Sequence, residues 1–104
     1  MLYRLTGAAL AALMLAACAT AARYTLQDRF RAIGIPGDTA DCMVGELEDR
    51  LSSDDLQDLA RYTLQLTRAD STFAAIRSLM QIDNPRAVKA VGASGVSCVT
   101  GFRF

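Results

Sequence analysis

The sequence predicts an all-α fold, a small bundle of four to five short helices with one disulfide. Three observations point there. Apolar residues recur at three- and four-residue spacing in successive segments, the period of one helix face. Most of these segments open on a residue that caps or starts helices. The 104 residues leave room for a single domain.

The first segment is read as a leader. Residues 5–17 (LTGAALAALMLAA) form an apolar run, and Arg4 is the only charge before Arg23. The run is too short to span a bilayer as a helix. A basic start, a short apolar stretch and small residues after it make a secretory signal peptide; the competing reading is a buried N-terminal helix. The expected organisation is a signal peptide over 1–17, a tether over 18–23 and a single α-helical domain over 24–104.

Within that domain, Leu26, Phe30 and Ile33 lie at i, i+4 and i+7 of a short amphipathic helix. Gly34-Ile35-Pro36-Gly37 breaks it. The next helix is expected over 38–51, with Asp38 as N-cap and Asp41 in the first turn. Ala40, Met43, Val44, Leu47 and Leu51 share one face, and Cys42 falls on the opposite one near Gly45 and Asp49. A partner segment reaching Cys42 is expected to cross the back of this helix, with Gly45 permitting close approach. Ser52 and Asp55 then form a capping pair for a third helix. Its inner face is read as Leu56, Leu59, Ala60, Thr63, Leu64 and Thr67. Asp70 or Ser71 caps a fourth helix, with Phe73, Ile76, Arg77 and Met80 aligned and Leu79 adjacent. Asn84 as N-cap and Pro85 at the first helical position start the last helix. Ala87, Val88 and Val91 begin an apolar stripe that reaches Cys98, and a strand over 96–104 is the alternative.

Leu15-Ala16-Ala17-Cys18 resembles the lipobox of bacterial lipoproteins, and all four positions match. The resemblance covers residues 1–18. It implies cleavage before Cys18, a diacylglycerol on its thiol and further acylation, such as palmitate, on its new amine. One acyl chain anchors only marginally, whereas two or three hold a protein at a membrane without any transmembrane helix. Ala19 follows the cysteine where inner-membrane retention in enteric bacteria uses Asp, so the implied address is the periplasmic face of the outer membrane. Cleavage at an A-x-A site, Ala17-Cys18-Ala19 or Ala19-Thr20-Ala21, would instead release a soluble periplasmic protein.

If Cys18 is lipidated, Cys42 and Cys98 remain. An even count in an oxidising compartment predicts a bridge between them. The alternatives are two separate buried thiols or a redox-active pair; no C-x-x-C motif favours the latter.

A second resemblance rests on weak, structural motifs. Cys42, Arg50-Leu51-Ser52-x-x-Asp55-Leu56, Leu59-Ala60, Asn84-Pro85 and Cys98 together resemble a group of small exported alphaproteobacterial proteins. It covers most of residues 40–98 and brings no activity with it.

Eleven basic and eleven acidic side chains cancel, which argues against a nucleic-acid surface. The neutrality hides an asymmetry. Residues 38–58 carry a net charge of −7 and residues 61–104 a net of +4. Helix-start acids explain much of this. The sharper reading is an acidic face, with Asp49, Asp54 and Asp58 at its centre, that docks a basic partner.

With no His in the sequence, His-based triads and His-ligated metals are excluded. The acids lack calcium-loop spacing, no G-x-S-x-G occurs, and Gly92-Ala93-Ser94-Gly95 lacks the lysine of a phosphate loop. No catalytic residue, metal site, cofactor or small-molecule substrate is expected. Phe102 and Phe104 are read as a plug on the bundle or a small exposed contact. The expected function is a non-enzymatic, lipid-anchored envelope protein with an interaction or structural role. The alternative is a periplasmic inhibitor or immunity-type protein whose 38–58 segment meets a basic partner. An enzyme built on Glu/Asp pairs is the third reading.

Overall fold

Apolar spacing over the described residues resolves into five helices. The structure, a computed structural model, describes residues 21–101. Among them, α1 covers helical residues 21–32, followed by α2 (Gly37–Arg50), α3 (Ser53–Thr63), α4 (Thr72–Leu79) and α5 (Pro85–Thr100). No strand occurs among the described residues. The all-α prediction holds, and the 96–101 stretch is helix up to a left-handed Gly101, not strand.

The predicted tether needs correction. Residues 21–23 belong to α1, Ala22 is buried, and Arg23 Nε lies 3.2 Å from Glu48 of α2. Two alanines are strong helix formers and extend the helix N-terminally. Leu26, Phe30 and Ile33 are fully buried, as their spacing predicts. Ile33 is followed by Gly34 at φ 114°, a backbone conformation that suits glycine. A Cβ there would stand 3.0 Å from the Ala69 carbonyl oxygen, so the loop after α3 fits only a glycine corner. The Ala69 N–H donates to the Ile33 carbonyl at 2.8 Å and closes that junction.

Helix α2 starts one residue earlier than expected. Its N-cap is Pro36, in extended conformation and without a side-chain cap, and the Ala40 N–H donates to the Pro36 carbonyl. Asp38 is therefore a first-turn acid facing the positive helix end and not the cap. Ala40, Met43, Val44 and Leu47 are fully buried. Ion pairs from Arg23 to Glu48 and from Arg31 to Asp41 set α1 antiparallel to α2.

Cys42 and Cys98 are joined, with their Cα atoms 5.8 Å apart and a sequence separation of 56. The route differs from the expected one. Cys42 is exposed, and a Cβ at Gly45 would meet nothing within 4 Å. Helix α5 reaches the cysteine from the flank, and the back of α2 faces solvent. The same flank carries a 2.7 Å hydrogen bond from Ser97 Oγ to Glu46 Oε1.

Ser52 caps α3 by accepting from the Asp55 N–H, and Leu56, Leu59, Ala60 and Thr63 are buried. Leu64 and Thr67 are exposed because the helix ends at Thr63 and the periodicity stops with it. Arg29 of α1 fixes that end. Its guanidinium donates to the carbonyls of Thr63 and Leu66 at 2.9–3.2 Å, a cation on the negative end of a helix.

Ser71 caps α4 and Asn84 caps α5, with Pro85 at its start. The face of α4 is rotated from the expected one. Ala75 and Leu79 are fully buried, whereas Phe73 is 69% exposed and Met80 is at the surface. The small residues Ala87, Ala90, Ser94 and Gly95 are likewise on the buried side of α5. Ala, Ser and Gly let helix axes approach closely; Leu79 and Val91 are fully buried beside them, whereas Phe73, Val96 and Val99 stand at the margin.

Candidate functional site

Two places concentrate the side chains that could act: a polar junction between α3 and α5, and an apolar groove between α4 and α5.

The junction is built from two helix starts. Asn84 caps α5 through Oδ1, and its Nδ2 donates to Asp55 Oδ1 at 3.0 Å and to Asp58 Oδ2 at 3.1 Å. Arg86, the second residue of α5, closes a two-bonded fork on Asp55 at 2.9 and 3.0 Å. The Asp55 side chain is only 10% exposed and that of Arg86 is 72% exposed. The carboxylate is thus the inner member of the pair and the guanidinium its lid. Hydrogen bonds from Arg86, then from Asn84, hold the Asp55 carboxyl well below the ordinary carboxylate range, against the opposing effect of burial. The same contact raises the Arg86 pKa further. A general acid needs the opposite shift. Asp55 therefore serves as a tie between α3 and α5.

That tie has a pH signature. A carboxyl whose folded pKa is depressed stabilises the fold above its unfolded pKa, about 3.9, and the contribution fades as pH falls toward the folded value. Urea midpoints should therefore decline from about pH 5 to pH 3. Asp55→Asn should be less stable at neutral pH and show a shallower acid decline. A variant with the parental slope would remove Asp55 as the responsible group.

The groove beside this junction, about 750 Å³, is lined by Arg50, Arg86 and Lys89 among others. Arg50 pairs with Glu46 and Arg86 with Asp55, so two of its three cations are internally matched.

The residues singled out in the sequence fall as follows. Cys18, with the leader and the lipobox, lies outside the described residues, as do Phe102 and Phe104. Cys42 and Cys98 are brought together. Asp49 and Asp54 are exposed, but Asp58 is drawn into the Asn84 junction. Most of the other acids over 38–58 also have partners within the chain: Asp41 with Arg31, Glu46 with Arg50 and Ser97, Glu48 with Arg23, Asp55 with Arg86. Glu48 Oε1 is within ion-pair distance of Arg23 yet not aligned for a hydrogen bond. The acidic excess is therefore largely spent on holding the bundle together. Among the described residues, no group of three or more Cys, Asp or Glu side chains is placed to hold a metal ion. No described helix is long and apolar enough to cross a membrane.

The apolar groove runs between α4 and α5 and encloses about 580 Å³. Its walls are Phe73, Ile76 and Met80 on one side and Val96 and Val99 on the other. Gly92 and Gly95 form its floor: a Cβ at Gly95 would sit 3.2 Å from Ile76 Cγ2, and one at Gly92 3.4 Å from Met80 Cε. These pairings set α4 antiparallel to α5. Arg77 stacks over the Phe73 ring, 5.0 Å from its centroid, and steadies an aromatic that is otherwise open to solvent.

Comparison with protein-family models, with curated proteins and with solved structures finds no match. The functional reading rests on the residues alone.

Neither the junction nor the groove is visible in the sequence. Asp55 reads there as a local cap residue, and its partner Arg86 is 31 positions away with no local signal. The groove needs the rotation of α4, which its largest apolar residues misreport.

Proposed function

We propose that this chain is a small non-enzymatic lipoprotein of the bacterial envelope, anchored through acylated Cys18 and serving an interaction or structural role. The observation that carries this reading is the allocation of the cysteines. The sequence has three, and the domain pairs Cys42 with Cys98. The thiol left over is Cys18, directly after the apolar run and in a lipobox-like setting. A disulfide between helices fits an exported protein. Acyl chains on Cys18 would then supply the membrane attachment, with an outer-membrane address facing the periplasm. Residue 21 is already helical, so an acyl group on Cys18 would be three positions in sequence from the described bundle.

Metabolic labelling with a clickable fatty acid tests the anchor. The chain should take up label and sediment with membranes. Cys18→Ala should lose both properties while keeping the Cys42–Cys98 bond. Persistent labelling of Cys18→Ala, or an unlabelled parent protein, overturns the proposal.

A further inference from the structure

We infer that the groove between α4 and α5 binds a single-chain anionic amphiphile, a free fatty acid, with its acyl chain along the groove and its carboxylate on Arg77. The inference goes beyond the anchoring proposal and does not depend on it.

The apolar surface of the bundle is gathered here. Six large apolar side chains are exposed among the described residues, and four of them, Phe73, Met80, Val96 and Val99, line this one groove. Exposed apolar groups scattered singly are ordinary, whereas a contiguous concave patch marks a binding place. Its volume of about 580 Å³ suits a small ligand, whose sites enclose roughly 300–1,000 Å³. The shape favours a chain over a compact molecule. Two helices form the walls, and the floor follows α5 from Gly92 to Val99, about 10 Å along the helix.

Gly92 adds a second observation. A Cβ there would meet Met80 Cε at 3.4 Å, an ordinary contact with the end of a flexible side chain. The bundle therefore has room for alanine, which is the more stable residue inside a helix. Gly95 differs, because its Cβ would press on Ile76 Cγ2 at 3.2 Å. Helix packing explains Gly95 and does not explain Gly92. A bare position 92 keeps the floor open to a chain lying against the α5 backbone.

Charge selects the head group. No acidic residue lines the groove. Arg77 stands on its rim, with its guanidinium 5.0 Å from the centroid of the Phe73 ring. Stacking occupies the flat face of a guanidinium and leaves its edge donors open. Arg23, Arg31, Arg50 and Arg86 are each paired with a carboxylate, whereas no described carboxylate lies within ion-pair distance of Arg77. An arginine edge donates to a carboxylate through a two-bonded fork. From that point the chain passes Phe73, crosses Gly95 and Gly92 and ends against Met80. A cationic amphiphile would meet Arg77 with like charge, and a neutral one would leave it unmatched.

Photo-labelling of the full chain in cell membranes tests this, with a photoreactive, clickable analogue of dodecanoate as the probe. After irradiation and peptide mapping, label should lie in α4 and in the 92–100 part of α5. Acylation at Cys18 is independent of light and maps to a different peptide, so failure of the anchor and failure of this site are read separately. Free dodecanoate should compete, and dodecanol and dodecyltrimethylammonium should not. Arg77→Gln should cut the labelling about tenfold, the value of a charge-assisted hydrogen bond, and Arg77→Lys should restore most of it. Gly92→Ala should also lower labelling while keeping the Cys42–Cys98 bond on a non-reducing gel and the urea midpoint at or above that of the parent. Four results overturn the inference: no light-dependent label in α4 or α5, equal competition by dodecanol, equal labelling by a photoreactive diacyl phospholipid, which would assign the groove to a bilayer surface, or a cross-linked dimer from p-benzoylphenylalanine at position 99, which would assign it to a second copy.

Discussion

Replacing both cysteines, Cys42→Ser with Cys98→Ser, should remove about 4 kcal/mol of stability, the loop-entropy value for a closed loop of this size. The bridge joins positions separated by 56 residues, so it restrains most of the described chain in the unfolded state. A domain of this length buries a modest fraction of its surface, and small domains have total stabilities of about 5–15 kcal/mol. A loss of that size takes the fold close to its limit. It would act first on α5, whose C-terminal half is tied to α2 by the bond itself and by Ser97–Glu46. Urea unfolding of the oxidised protein, the reduced protein and the double variant separates the contributions. The reduced and serine forms should share a midpoint far below that of the oxidised form. Coincident midpoints for all three would mean that helix packing alone sustains the bundle.

The helix boundaries and most of the core were legible because the signals are local. Ser52, Ser71 and Asn84 cap where their side chains can reach an amide three residues on. Leu26, Phe30, Ile33, Met43, Val44 and Leu47 are buried as their spacing requires. Sequence and structure differ where the deciding contact is distant. The buried face of α4 departs from its apolar periodicity because Ala75 and Leu79, and not the bulkier Phe73, are buried. Gly45 reads as a close-approach glycine, yet the disulfide approaches from the flank and leaves it open. The internal partners of the acids over 38–58 are not visible in the sequence, because Arg23, Arg31 and Arg86 lie 10 to 31 positions from them. Neither the α3–α5 junction nor the apolar groove could be placed without knowing which helices are neighbours.

Phe30→Ala and Leu64→Ala separate the two descriptions of this core most sharply. By periodicity both residues face inward. In the structure Phe30 is fully buried, whereas Leu64 is 62% exposed, one residue past the end of α3. Phe30 also stands at a structural corner: its carbonyl accepts from the Ile35 N–H at 2.9 Å, and the neighbouring Arg29 caps the end of α3. Truncating it opens a cavity among Leu26, Ile33 and the other buried residues of one continuous core. Phe→Ala changes at such sites cost about 3–5 kcal/mol, since the lost transfer energy adds to an unfilled void. An exposed residue without a cap or ion pair changes stability by about 0.5 kcal/mol or less. Chemical denaturation of the two variants should therefore give a large drop for Phe30→Ala and almost none for Leu64→Ala. Comparable losses at the two positions would mean that α3 continues past Thr63 and turns Leu64 into the core, which would also displace the carbonyls that Arg29 holds.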